Sequence, residues 1–77
     1  IRVNGKLYFT KSKFINLKMK LIEYFQNNEL MSISDFKEIT GTSRKYAVPL
    51  LEYFDKLKIT YRDGNNRKII QRKNVKV

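Results

Sequence analysis

The fold of this chain is decided by residues 36–55, FKEITGTSRKYAVPLLEYFD. A short segment with an apolar edge ends at Thr40-Gly41, where glycine suits the left-handed residue that closes a helix. Ser43 can cap a following helix, in which apolar residues recur at the i, i+3, i+4, i+7 spacing of one helix face: Ala47, Leu50, Leu51, Phe54 and Leu57. Two helices separated by so tight a turn predict a helix–turn–helix.

The flanking segments extend this motif on both sides. Upstream, Thr10 or Ser12 can cap a first helix whose apolar residues again keep helical spacing: Phe14, Leu17, Leu21, Tyr24 and Phe25. We expect Ser34 to cap the second helix. Downstream, the pattern predicts a β-hairpin, with strands Ile59–Asp63 and Arg67–Gln71 around the turn Gly64-Asn65-Asn66.

The predicted fold class is α+β, mainly α: a winged helix of three helices with a C-terminal two-stranded hairpin as the wing. A three-helix bundle with a basic tail is the alternative. We expect residues 1–10, with a β-prone Lys6–Thr10, to be an N-terminal strand or a linker from an upstream domain. Residues 11–71 would form the winged-helix domain and 72–77 a basic tail. Because the chain begins with Ile1 rather than methionine, we expect it to be a piece of a larger protein.

Composition restricts the possible functions. Seventeen Lys and Arg against seven Asp and Glu give a formal charge of +10 on 77 residues, which favours a polyanionic partner, nucleic acid before an anionic membrane surface. The absence of histidine and cysteine excludes disulfides, Cys/His zinc sites and histidine acid–base catalysis. No carboxylate cluster or phosphate-binding glycine loop suggests an enzyme, a metal or a cofactor. Without a signal peptide or an apolar run near the roughly 20 residues of a membrane span, we expect a cytoplasmic monomer.

The start of the third helix is the first candidate site. Arg44 and Lys45 lie in its first turn, where the helix dipole disfavours positive charge. The unpaired helix N–H groups, the Ser43 hydroxyl and these two cations could converge on one phosphate. The alternative is that both cations point into solvent or pair with Asp35 or Glu38.

The wing is the second candidate site. Arg62 and Arg67 flank its turn and could together grip one backbone or one splayed base. Lys68 should lie on the opposite face from Arg67, and Tyr61 could stack on a base or pack against a helix. Asn65 is a turn residue that could also contact a base edge. The predicted nucleic-acid contacts are Ser43, Arg44, Lys45, Arg62, Asn65, Arg67 and Lys68.

Residues 36–55 and 59–67 resemble the last winged-helix domain of the bacterial selenocysteine-specific elongation factor family, SelB. The most specific part is Ser43–Ala47 followed by Pro49–Glu52; the wing departs from the family at Asn65, where we expect aspartate. The resemblance implies a translation GTPase with tandem winged helices. Its last domain would bind the selenocysteine insertion (SECIS) hairpin of messenger RNA, with contacts from Arg44, Lys45, Arg62 and Arg67. Such a hairpin would hold the factor and its selenocysteinyl-tRNA near a ribosome stalled at UGA.

RNA is preferred to DNA on physical grounds. The deep, narrow major groove of A-form RNA excludes a recognition helix, so backbone contacts and unpaired bases must supply specificity. Cations cluster at the start of the third helix and on the wing, whereas Glu52 and Asp55 would repel phosphates beside a groove. The alternatives are a DNA-binding winged helix of a transcription regulator and a protein-interaction domain.

Overall fold

A computed structural model describes residues 1–70. Within them the chain forms three helices and a hairpin: α1 (Lys11–Tyr24), α2 (Ile33–Thr40), α3 (Arg44–Lys56), β1 (Thr60–Asp63) and β2 (Asn66–Ile69). This confirms the predicted winged helix, and the three-helix bundle is wrong. The predicted basic tail at 72–77 and the last residue of the predicted second strand, Gln71, lie outside the described residues.

The core is made where the apolar stripes of the three helices meet. The ring of Phe54 in α3 stacks on Phe14 of α1, with centroids 5.2 Å apart, and lies edge-on to Phe36 of α2 at 6.3 Å. One aromatic side chain therefore contacts both other helices, an arrangement that stabilises beyond the burial of its area. The buried apolar residues are Phe14, Leu17, Leu21, Met31, Phe36, Ala47, Leu50, Leu51 and Phe54.

The cap of α2 differs from the prediction. Ser32, not Ser34, is the N-cap: its hydroxyl accepts the Asp35 N–H at 3.0 Å, and the Asp35 carboxylate accepts the Ser32 N–H at 2.9 Å. This reciprocal capping box needs an acidic residue three positions after the cap. Ser32 has Asp35 there, whereas Ser34 has Lys37. The predicted Thr10 cap of α1 is confirmed, since its hydroxyl accepts the Lys13 N–H at 3.1 Å.

Asp35 also joins α2 to α1. The Tyr24 hydroxyl donates to its carboxylate at 3.0 Å. The hydrogen bond from the Ser32 backbone and, to a lesser degree, the one from Tyr24 hold the pKa of Asp35 below its ordinary value, against the opposing effect of burial. Burial, reinforced by the same carboxylate, raises the pKa of Tyr24.

The end of α3 turns the chain into the wing. Lys58 adopts a left-handed conformation with φ of 65°. Its N–H donates to the Asp55 carbonyl at 3.0 Å, and the Ile59 N–H donates to the Phe54 carbonyl at 3.0 Å. These two bonds form a Schellman motif, in which glycine is the usual left-handed residue. Gly41, with φ of 72°, ends α2 in the predicted left-handed conformation.

The wing is an antiparallel hairpin in which Arg62 lies opposite Arg67. The link before α2 adds to it: Met31 and Arg67 exchange two backbone hydrogen bonds, of 3.0 and 2.8 Å. The wing is thereby joined to the helix–turn–helix through its returning strand. No helix within residues 1–70 is long and apolar enough to cross a membrane.

Of the two alternatives for residues 1–10, a strand or a linker, the structure shows no strand over Lys6–Thr10. Instead, a single antiparallel bridge joins Arg2 to Tyr8 around a turn. Val3 and Phe9 pack against the core, so this segment is attached to the winged helix as an ordered N-terminal loop, residues 1–9. The competing turn signal, Asn4-Gly5, explains the difference: it places a reversal where the strand would begin.

Truncating the centre of the core should unfold much of the population. Leu51 is fully buried, and a buried Leu→Ala change costs about 2–5 kcal/mol, a large share of the stability of a small domain. We expect Leu51→Ala to lower the urea midpoint sharply, while exposed Met19→Ala leaves it nearly unchanged. Equal, small effects of the two substitutions would contradict this core.

The capping box predicts a dependence of stability on pH. Since folding lowers the pKa of Asp35 from its ordinary value of 3.8, its contribution is fully present above that value and disappears as pH falls through the folded pKa. Asp35→Asn should therefore be less stable than the parent at pH 7, with a difference that shrinks below about pH 4. Urea unfolding from pH 7 to pH 2 measures this; a constant difference would contradict it.

Candidate nucleic-acid interface

Arg67 is not an exposed wing cation. It is 4% exposed, and its Nε donates to both carboxylate oxygens of Asp55, at 3.0 and 3.3 Å. The buried Thr60 hydroxyl donates to the same carboxylate at 2.6 Å. Its Nε is therefore held by α3, which leaves Arg67 less free than the exposed Arg62 to grip nucleic acid, although it still lines the cleft described below. The same ion pair corrects the expectation that Asp55 repels phosphates, since that carboxylate is neutralised by an internal partner.

The exposed part of the predicted site is a cleft between the wing and the start of α3. It has a volume of about 370 Å³. Apart from the apolar Ile33, its lining is cationic or polar: Ser32, Ser34, Arg44, Arg62, Asn65 and Arg67. We call this the wing cleft. None of its lining residues is acidic, so the two exposed arginines set its charge.

Arg62 is held at the tip of the wing. Its Nε donates to the Gly64 carbonyl at 2.9 Å, and Gly64 has the positive φ of 64° that the turn requires. The bond occupies one of the five N–H donors of a guanidinium and leaves the others available for an anion. Neither Arg62 nor Arg44 forms an ion pair with an acidic residue in the part of the chain that the structure describes.

Arg44 and Lys45 do not converge on one phosphate. Successive helical residues point about 100° apart, and the structure separates these two accordingly. Arg44 lines the wing cleft, whereas Lys45 lines a different concavity beside the N-terminal loop. Neither pairs with Asp35 or Glu38 within residues 1–70.

Ser43 is the N-cap of α3 by position, but its side chain makes no capping hydrogen bond. Its backbone carbonyl accepts the Ala47 N–H at 2.9 Å and begins the helix. Ser43 is thus the predicted N-cap residue, but without the side-chain hydrogen bond that usually accompanies this position. Its exposed hydroxyl is not engaged by the end of the helix that it precedes.

Lys68 pairs with Tyr61 in the hairpin register. It therefore lies on the opposite face of the wing from Arg67, as predicted. Its Nζ lies 3.6 Å from Asp63 and 3.9 Å from Glu29. Two carboxylates thus offset its charge. Tyr61 remains 45% exposed. No group of acidic residues within residues 1–70 is arranged to hold a metal ion.

These features define a winged-helix domain with a cationic cleft between its wing and its third helix. The family model described as "Elongation factor SelB, winged helix" matches residues 23–69. The chain belongs to this family. A selenocysteine-specific elongation factor of Desulfomicrobium baculatum is 38% identical over 72 residues, which cover 94% of this chain and 11% of that protein.

Removing one partner of the Asp55–Arg67 pair should cost much of the domain's stability. Removing one partner of a buried pair costs about 3–5 kcal/mol; because the Asp55 side chain is 24% exposed, we expect Asp55→Ala to lie at the low end, about 3 kcal/mol. Urea unfolding measures the loss.

A triple variant, Asp55→Leu with Arg67→Met and Thr60→Val, is the matched control, since the buried Thr60 hydroxyl would otherwise lose its acceptor. Replacing both charges by apolar side chains is often nearly neutral, so it should recover much of the stability that Asp55→Ala loses. A loss below about 1 kcal/mol for Asp55→Ala would show that the pair does not hold the wing.

Proposed function

We propose that this domain binds a hairpin in messenger RNA, of the kind that directs selenocysteine insertion, as part of a selenocysteine-specific elongation factor. Binding would hold that factor, its selenocysteinyl-tRNA and the ribosome near a UGA codon. Family membership supports the setting. The observation that carries the proposal is the wing cleft, which places Arg44, Arg62 and Asn65 around one concavity without a lining carboxylate.

The chemistry of the wing cleft suits a looped-out or bulged nucleotide. Guanidinium groups bind phosphate through two parallel hydrogen bonds and also stack on aromatic rings. Arg44 and Arg62 approach from α3 and from the wing, and the amide of Asn65 offers both a donor and an acceptor to a base edge. A volume of about 370 Å³ lies within the range of small-ligand pockets. An unpaired nucleotide could enter it with its phosphate against the arginines.

The charge distribution on α3 favours RNA over a DNA groove. In DNA-binding winged helices of the helix–turn–helix type, the recognition helix lies between two phosphate backbones. Here the cations Arg44 and Lys45 occupy only the first turn, and exposed Glu52 lies near the middle. Asp55, being paired with Arg67, no longer adds to this argument. The Ser43 hydroxyl, next to Arg44, is a secondary member of the proposed contact set. Lys68, on the other face of the wing and beside Asp63 and Glu29, would contact RNA only outside the wing cleft.

The parent factor supplies the rest of the activity in this proposal. The chain spans 11% of the length of the related elongation factor. GTP hydrolysis and selenocysteinyl-tRNA binding would therefore belong to other parts of such a protein. This domain would contribute messenger-RNA attachment.

The choice between RNA and DNA can be tested by titration. The probes are an RNA hairpin with one bulged nucleotide near its loop, the same hairpin without the bulge, and duplex DNA of equal length. We expect the bulged hairpin to bind most tightly at 150 mM salt, because only it offers an unpaired base to the wing cleft. Equal affinities for all three probes would contradict the proposal, and preference for the duplex DNA would support the transcription-regulator alternative.

The wing cleft can be tested through the salt dependence of binding. Arg44→Gln and Arg62→Gln should each make the slope of log affinity against log salt shallower by roughly 0.7–0.9 for every lost phosphate contact. Lys20→Gln is the matched control, since Lys20 is equally exposed on α1, away from the cleft lining. Thermal midpoints should stay unchanged, or rise slightly for Arg44→Gln. Slopes no shallower than that of the control would place the binding surface elsewhere.

A further inference from the structure

A second concavity lies beside the start of α3, away from the wing cleft. It has a volume of about 340 Å³ and is formed between the N-terminal loop and the first half of α3 by Asn4, Lys6, Leu7, Lys45, Tyr46 and Pro49. We call it the loop notch. It shares no lining residue with the wing cleft. The family match begins at residue 23, so half of the notch comes from sequence outside that match.

The loop that carries Lys6 is ordered by its own hydrogen bonds. The Asn4 side-chain oxygen accepts the N–H groups of Lys6 and Leu7, both at 3.0 Å. The Val3 N–H donates to the Leu7 carbonyl at 2.8 Å. Such an Asx turn fixes the backbone on both sides of Lys6. Val3 and Phe9 fasten the loop to the core, so Lys6 is presented from a defined position.

The charges of the notch are not balanced within the domain. Neither Lys6 nor Lys45 has a carboxylate partner in the described part of the chain, and none of the lining residues is acidic. The Lys45 Nζ lies 5.7 Å from the centroid of the Tyr46 ring, a cation–π distance. Tyr46 is 39% exposed. Two lysines without an acidic neighbour thus line one concavity, and an anion bound there would offset the charge of both.

We infer that the loop notch is a second RNA contact, which takes a backbone phosphate of the same hairpin through Lys6 and Lys45. This inference rests on the proposed function. Lysine binds phosphate as a point charge without a fixed geometry, so the notch adds affinity and orientation rather than base selection. Leu7 and Pro49 provide an apolar floor on which a ribose can rest. Because Arg44 and Lys45 are neighbours on α3, the two concavities engage the RNA on either side of the start of that helix.

The test measures the salt dependence of binding to the bulged RNA hairpin for Lys6→Gln, Arg62→Gln and Lys20→Gln in the whole chain. Each lost phosphate contact should reduce the loss of affinity between 50 and 200 mM salt by roughly threefold. We expect this reduction for Lys6→Gln and Arg62→Gln but not for Lys20→Gln. Lys6 lies in an exposed turn, so the thermal midpoint should not move.

A scan of the hairpin with single neutral methylphosphonates locates the contact. At one backbone position the substitution should remove the effect of Lys6→Gln, and this position should differ from the one that removes the effect of Arg62→Gln. If Lys6→Gln behaves like Lys20→Gln while Arg62→Gln does not, the second contact is overturned and the proposed function stands. If all three variants behave alike, the proposed function itself fails.

Discussion

The carboxylate of Asp55 is the group on which the position of the wing depends. It accepts hydrogen bonds from Arg67 of β2 and from Thr60 of β1, both buried. One side chain of α3 therefore fixes both strands of the hairpin. An isolated two-stranded hairpin is at best marginally stable in water, so the wing needs such attachments. A buried ion pair stabilises less than its contact distances suggest, because both charges lose their hydration. Its clearer effect here is to select one orientation of the wing.

That orientation creates the wing cleft. With Arg67 turned toward α3, its backbone pairs with Met31 in the link before α2. The wing tip then lies beside the first turns of α2 and α3. Arg62, opposite Arg67 in the register, is left exposed and fastened to Gly64. The two wing arginines thus have different roles. The buried Arg67 holds the hairpin, and the exposed Arg62 is available to a ligand.

Much of this could be predicted from local sequence. Apolar residues at helical spacing identify the three helices, and Gly41 and Gly64 mark two of the three turns with positive φ; the third, at Lys58, has no glycine to indicate it. The prediction of Ser34 as the cap of α2 is wrong. The choice between the two serines depends on the residue three positions after each, and Asp35 in that position favours Ser32. The separation of Arg44 from Lys45 follows from helix geometry alone. Proximity in sequence is therefore a poor guide to whether two helical side chains reach one ligand.

The role of Arg67 could not have been predicted in this way. Strand alternation places Arg62 and Arg67 on one face but does not say how much of that face is covered. Arg67 is buried by its contacts with Asp55 in α3 and with Met31 before α2, and both residues are distant from it in sequence. The same holds for Lys6, which lines one concavity with Lys45 only because the N-terminal loop folds beside α3. A formal charge of +10 indicates a polyanionic partner. Only the fold distinguishes the cations that are available to such a partner from those that form ion pairs within the domain.

The arginine Nε–H signals in NMR spectra test this division most directly. During titration with the bulged RNA hairpin, the Nε–H resonances of Arg44 and Arg62 should shift, because their guanidinium groups would contact RNA. The Arg67 resonance should be visible and slow to exchange before RNA is added, since its Nε–H donates to Asp55, and it should stay in place throughout. A large shift of Arg67 with none at Arg44 and Arg62 would contradict the account.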